Sequence, residues 1–187
     1  EKLADILLGL RREDFWDPGP GLGLLRGGRF RQLLDEILPV ETFEQCNWPL
    51  ALSVWDALTR RTRVISSGPL APAIHASCAV PLLFQPVWLD GRPLFDGGVS
   101  DRHGLAGLLG KERIFYHHLA SRSPWRKADS PALKTPVRQG TISLVMEGLP
   151  RSGPFKLRRG AEALARAHQA ARQALRQRIL GGKVEIK

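Results

Sequence analysis

The stretch from Ala76 to Ser100 limits what this chain can fold into more than any other. It reads Ala76-Ser77-Cys78-Ala79-Val80-Pro81, then Phe84-Gln85-Pro86-Val87, then Leu94-Phe95-Asp96-Gly97-Gly98-Val99. Val87-Trp88-Leu89 and Pro93-Leu94-Phe95 are short apolar runs joined at Asp90-Gly91-Arg92. Asp-Gly between such runs predicts a hairpin, because both residues tolerate the positive φ of a tight turn. The second strand delivers Asp96 directly into Gly97-Gly98. Asp-Gly-Gly taken alone is an ordinary turn. A carboxylate at a strand end, followed by two conformationally free residues, can also be aimed into a cleft.

At 187 residues the chain is long enough to bury a sizeable core without a second domain. Its first residue is Glu1 and its single methionine is Met146, so we expect the sequence to begin inside a longer gene product. Cys46 and Cys78 permit one disulfide at most, and their apolar surroundings predict buried free thiols in a reducing compartment. No apolar run approaches the length needed to cross a bilayer. The expected location is therefore cytoplasmic or peripheral to a membrane.

The charge is uneven. Residues 151–187 hold ten Lys and Arg against Glu162 and Glu185, a net +8 out of the +10 of the whole chain. The remaining +2 is spread over the first 150 residues. Basicity belongs to the tail, which weakens a nucleic-acid role for the body of the domain.

Leu3, Ile6, Leu7 and Leu10 predict a helix over Lys2–Arg12, broken at Trp16-Asp17-Pro18-Gly19-Pro20-Gly21. Gly21–Gly28 carries four glycines but no following Lys-Ser/Thr, so it reads as a flexible connector and not as a phosphate loop. Phe30, Leu33, Leu34, Ile37 and Leu38 mark a helix that stops before Pro39. Trp48–Asp56 is apolar or small on both sides, the pattern of an interior strand. A turn at Thr59-Arg60-Arg61-Thr62 and a strand at Arg63–Ser66 come next. Small residues over Ala71–Ala79 predict a helix lying close on a sheet and ended by Val80-Pro81. Arg113–Leu119, preceded by Gly110-Lys111-Glu112, reads as a strand. Ser121–Gln139 reads as an irregular excursion, and Ile142–Met146 as a short strand or helix. The last helix has Ala161, Leu164, Ala165, His168, Ala171, Leu175 and Ile179 on one stripe, with Arg166, Gln169, Arg172, Gln173 and Arg176 opposite. Gly181-Gly182 stops it. Strands alternating with helices predict a layered α/β domain over residues 1–150, followed by a basic tail with an amphipathic helix over 151–187.

The order of features from Leu33 to Gly98 resembles the patatin-like phospholipase family, in its bacterial and neuropathy-target-esterase branch. The likeness is carried by Leu38-Pro39-Val40, Thr42-Phe43-Glu44, Ser66-Ser67-Gly68-Pro69-Leu70, Ala73–Pro81, Phe84–Val87, Asp90-Gly91-Arg92 and Asp96-Gly97-Gly98-Val99. It is best over residues 21–108. It implies a three-layer α/β/α fold, incomplete at the N-terminus. It also implies a serine acyl hydrolase (phospholipase, lysophospholipase or esterase) acting on a lipid or ester substrate without metal or other cofactor. In that family a serine in Gly-X-Ser-X-Gly attacks the ester and an aspartate in Asp-Gly-Gly/Ala is its base. By resemblance Asp96 is that aspartate, supported by Gly97 and Gly98. A serine hydroxyl is a weak nucleophile until a positioned base takes its proton, and a carboxylate serves better when partly desolvated.

No Gly-X-Ser-X-Gly occurs in the 187 residues. Ser66-Ser67-Gly68 lacks the first glycine, and Ser77 sits in a predicted helix with no flanking glycines. The expectation is therefore half a Ser-Asp dyad, with serine and oxyanion loop on an absent upstream segment. The alternative is a non-catalytic, truncated relative that binds a lipid surface or a protein. Asp101-Arg102-His103-Gly104 also lacks the Asn and Pro common in relatives.

Other constellations carry less. His117 and His118, adjacent on a strand, point to opposite faces and cannot easily share a metal. His103 reads as a loop residue and Asp56 as a turn residue. His75 and Ser77, two apart on a helix, diverge and do not assemble a triad with Asp96. The arginine-rich helix over 161–180 fits a solvated face, contact with an anionic membrane, or, least well, nucleic acid.

Overall fold

The computed structural model describes residues 2–108, 110, 113–120, 134–150, 152–153, 155–177 and 183–186. By its contacts the chain divides into two units, Arg11–Leu108 and a second formed by residues 1–10 with 109–187.

The Arg11–Leu108 unit is built on a four-stranded antiparallel sheet. Its strands are β2 (Leu52–Asp56), β3 (Arg61–Ile65), β5 (Val87–Leu89) and β6 (Arg92–Asp96), in the order β3-β2-β6-β5. The interior position of β2 agrees with its two apolar faces. The predicted hairpin is present, with Val87 opposite Leu94 and Leu89 opposite Arg92. Its two-residue turn has φ of 50° at Asp90 and 71° at Gly91, the left-handed pair that Asp-Gly favours. Helix α3 (Leu70–Cys78) starts after an extended Pro69 and tolerates Pro72 in its first turn, where no intrahelical N–H is required. It lies on the sheet through Ala76, which is fully buried with Val54 and Leu94. A second cluster joins Phe43, Leu70 and Ala73. Absence of bulk on α3 lets helix and sheet approach closely, and Leu94 or Val54 cut to alanine would lose about 2–5 kcal/mol.

The glycine-rich segment differs from the expected connector. Gly23–Leu25 is a strand, β1, paired in parallel with β4 (Leu82–Phe84), and Leu25 is fully buried. A Cβ on Gly23 would run into the backbone of Phe84 and Gln85, so this glycine serves close approach. Helix α2 (Gly28–Ile37) follows, with Asp17 accepting from the N–H groups of Gly27 and Arg29 at 3.0 and 3.1 Å. A side-chain oxygen thus takes donors that a helix start leaves unpaired.

The second unit holds α1 (Lys2–Gly9) and a parallel sheet of β7 (Ile114–Leu119), β8 (Thr141–Met146) and β9 (Lys183–Ile186), in the order β7-β8-β9. Pairing with β7 settles Ile142–Met146 as strand. Helix α4 (Arg159–Ala174) packs on β8, sharing only Ala171 with the predicted stripe among the described residues. Ala167, Ala170, Ala171 and Ala174 meet Leu144 and Met146. Leu164 and Leu175 stand out in solvent at 41% and 80% exposure. The larger side chains suggested the wrong face because the sheet is approached through the smallest ones. Ile179, Gly181-Gly182, Lys111-Glu112 and most of Ser121–Gln139 lie outside the described residues. The described residues thus form an α/β protein with both parallel and antiparallel sheets, the class expected. Among the described residues no helix is long and apolar enough to cross a membrane.

Candidate active site

Asp96 is the last residue of β6, paired across the sheet with Val54. Its backbone N–H donates to the carbonyl of Ala79 at 2.9 Å, tying the strand end to the C-terminal end of α3. Its carboxylate Oδ1 accepts the Gly98 N–H at 2.7 Å. Oδ2 accepts no hydrogen bond among the described residues. The carboxyl is half-buried, and burial raises its pKa above the ordinary aspartate value, with the Gly98 N–H pulling partly the other way.

The two glycines have distinct reasons to be there. Gly97 is buried against Ser53, where a Cβ would overlap both the Ser53 carbonyl and its hydroxyl. A Cβ on Gly98 would lie 2.9 Å from Asp96 Oδ1, so a larger residue would push the carboxylate from its place. Gly97–Val99 then forms a single 3-10 turn, which receives the Asp101 N–H on the Gly97 carbonyl at 2.8 Å.

Ser77 donates its hydroxyl to the Ser53 carbonyl at 3.0 Å, a structural bond between α3 and β2. His75 faces elsewhere, buried with Phe30 and Phe84 at ring distances of 5.6 and 6.3 Å. These residues do not form a triad. His117 and His118 are equally separate, His117 reaching Met146 Sδ at 3.4 Å and His118 reaching the Tyr116 hydroxyl at 3.3 Å. Among the described residues no group of three or more His, Cys, Asp or Glu side chains converges as metal ligands would.

Asp56 is a turn residue as expected, accepting from the N–H groups of Leu58 and Thr59. It also receives Arg92 at 2.7 Å, an ion pair that the sequence did not suggest. The Thr59 N–H first, and Arg92 with it, hold its carboxyl below the usual range. Cys78 was missed as well. Both cysteines are free, but Cys46 is half-buried and Cys78 exposed, so neither is the buried thiol expected. The Cys78 thiol is crowded enough that desolvation raises its pKa, and the charge of Asp96 raises it further. The Ala79–Asp96 backbone bond and the packing of Ala76 on Leu94 bring α3 and β6 together here, and no local pattern encodes that contact. Asp101-Arg102-His103-Gly104 closes its own loop, Asp101 accepting from Leu105 and Ala106.

Comparison with known proteins gives the family. A family model described as patatin-like phospholipase matches residues 1–109, more than half of the chain. The chain belongs to the patatin-like phospholipase family. It is also similar to uncharacterized NTE family proteins of Mycobacterium bovis and Mycobacterium tuberculosis, each 33% identical over 88 residues. Those matches cover 47% of this chain and 24% of each relative, so the chain spans about a quarter of the length of the curated relatives it matches. The patatin-like match contains Asp96, Gly97 and Gly98, and ends beside the last residue of the Arg11–Leu108 unit.

Proposed function

We propose that Asp96 is the general base of a Ser-Asp acyl hydrolase site whose serine lies outside these 187 residues, and that the substrate is a phospholipid or other carboxylic ester. The observation that carries this reading is the carboxylate itself. It sits at a strand end, half-buried, with one oxygen fixed by the Gly98 N–H and the other unoccupied among the described residues.

In this reading Oδ2 accepts the serine proton as the serine oxygen attacks the ester carbonyl carbon. The tetrahedral intermediate collapses, and the leaving alcohol takes the proton back from Asp96. The same carboxylate then deprotonates water as the water oxygen attacks the acyl-serine carbonyl, and it returns that proton to the departing serine oxygen as the acid is released. Burial makes Asp96 a stronger base than an exposed aspartate, and a base so placed is worth about 10²–10⁴-fold in rate. Gly97 and Gly98 hold its position. No step requires a metal or organic cofactor.

A fluorophosphonate probe tests the proposal, since it labels activated serines. We expect the 187-residue chain to remain unlabelled and to leave p-nitrophenyl butyrate intact. In the gene product that contains it, labelling falls on a serine outside this sequence and is lost on Asp96→Asn. Ester hydrolysis by the 187-residue chain that depends on Asp96 would overturn the missing-serine reading. The lack of a Gly-X-Ser-X-Gly in the sequence favours a second reading, a non-catalytic module that binds a lipid surface or a protein. Under it no product of the gene takes up the probe.

A further inference from the structure

We propose that the outward face of α4, with the turn that follows it, docks onto an anionic lipid bilayer. The inference is independent of Asp96 and stands or falls separately from the hydrolase reading. Because α4 meets its sheet through alanines, Leu164 and Leu175 are left exposed on the flank of that contact, beside His168 and Arg172. At 100° per residue, Leu164, His168, Arg172 and Leu175 share one outward stripe.

Cations flank that stripe. Arg166 is paired with Glu162 at 2.8 Å. Arg158, Arg159, Arg172 and Arg176 make no ion pair among the described residues. Phe155, just before the helix, is 70% exposed. Leu175 also forms one wall of an apolar recess of about 220 Å³, which it shares with Phe115, Ile142, Leu144, Ala171 and Ala174. An apolar recess beside exposed arginines offers acyl chains and anionic headgroups complementary surfaces at the same edge.

A bilayer fits this chemistry better than nucleic acid does. Nucleic acid is bound by cations on its phosphates and aromatic stacking on its bases, and exposed leucines contribute little to either contact. An interfacial helix uses both, its apolar residues entering the headgroup boundary while arginines meet the anionic surface.

Co-sedimentation of the 187-residue chain with vesicles tests this. We expect binding to phosphatidylcholine vesicles containing about 30% phosphatidylglycerol and little to phosphatidylcholine alone, with binding falling as salt screens the arginines. Neutralising two cations (Arg172→Gln with Arg176→Gln) should weaken binding roughly 25-fold, at about fivefold per cation. Leu164→Ser with Leu175→Ser should also weaken it, and both positions are exposed enough to leave the fold intact. Equal binding to neutral vesicles would overturn the proposal. So would an unchanged affinity in the leucine variant, or tighter binding to a homopolymeric RNA than to anionic vesicles.

Discussion

Gly97 is pressed so closely on Ser53 that no side chain fits between them. The same Ser53 carbonyl receives the Ser77 hydroxyl from α3. One backbone oxygen in β2 therefore fixes both the helix that precedes the hairpin and the turn that follows Asp96. Gly97→Ala forces this contact apart. Overpacking a buried site costs about 1–3 kcal/mol. We expect a urea midpoint lowered accordingly in Gly97→Ala, and a wild-type midpoint would show that the turn yields freely.

Asp96 itself should cost stability where it is ionised. Its folded pKa lies above the unfolded value, so the protonated form favours folding. That contribution is fully present below the ordinary aspartate value of 3.8 and lost as pH rises through the folded pKa. At neutral pH Asp96→Asn removes the penalty while Asn Oδ1 keeps the Gly98 bond. The carboxyl is only half-buried and solvent screens its charge, so the gain is modest, under about 1 kcal/mol. Chemical denaturation at pH 7 should show the variant more stable, with the difference closing toward pH 4. A variant less stable at pH 7 would show that the charge helps hold the turn.

His75 has the opposite dependence. Its buried Nε2 has no hydrogen-bond partner among the described residues, and the ring lies against Gly27 and between Phe30 and Phe84. Desolvation lowers its pKa first, and Arg31 lowers it further against the opposing charge of Asp17. The unfolded chain thus binds the proton more readily. Stability is full above the ordinary histidine value of 6.5 and falls as pH drops below it. His75→Gln should flatten the urea midpoint between pH 7 and 5, and an acid loss of equal size in the variant would assign it to other groups.

Two positive-φ positions differ in their residue type. Gly91 has φ 71° and open space where a Cβ would stand, so Gly91→Ala should cost about 1–2 kcal/mol from the backbone alone. Leu82 adopts φ 68° with its side chain 83% exposed. A branched residue there pays for the conformation and recovers little by burial. Glycine relieves the strain but gives the unfolded chain more freedom, so Leu82→Gly should stabilise by a net of about 0.5–1 kcal/mol in thermal or urea unfolding. A loss would show that Leu82 gains more from its neighbours than its exposure suggests.

The hairpin at Asp90-Gly91, the interior strand ending at Asp56 and the helix ending at Cys78 were legible because their signals are local. Turn chemistry, alternation and proline placement lie within a few residues of what they determine. Asp96 was legible by resemblance more than by physics, since Asp-Gly-Gly alone describes a turn. The pairing of Gly23–Leu25 with Leu82–Phe84 was not legible, because a parallel pair joins segments far apart in the chain and leaves a glycine-rich run looking loose. Asp56 with Arg92, and Cys78 with Asp96, are likewise products of topology.

The face of α4 was legible in period but not in direction, and that distinction can be measured. Two stripes share the helical spacing, one with leucines and one with alanines, and helix-to-sheet distance decides between them. Ala174 is buried against Leu144 and Met146, whereas Leu164 is 41% exposed. Ala174→Leu adds bulk to a closed contact and should cost about 1–3 kcal/mol. Leu164→Ser exchanges exposed surface and should stay within about 0.5 kcal/mol of the parent. Urea denaturation of the two variants separates the alternatives. If Leu164→Ser were the damaging change and Ala174→Leu the silent one, the helix would be seated through its leucines, and the bilayer-facing stripe would be the buried one.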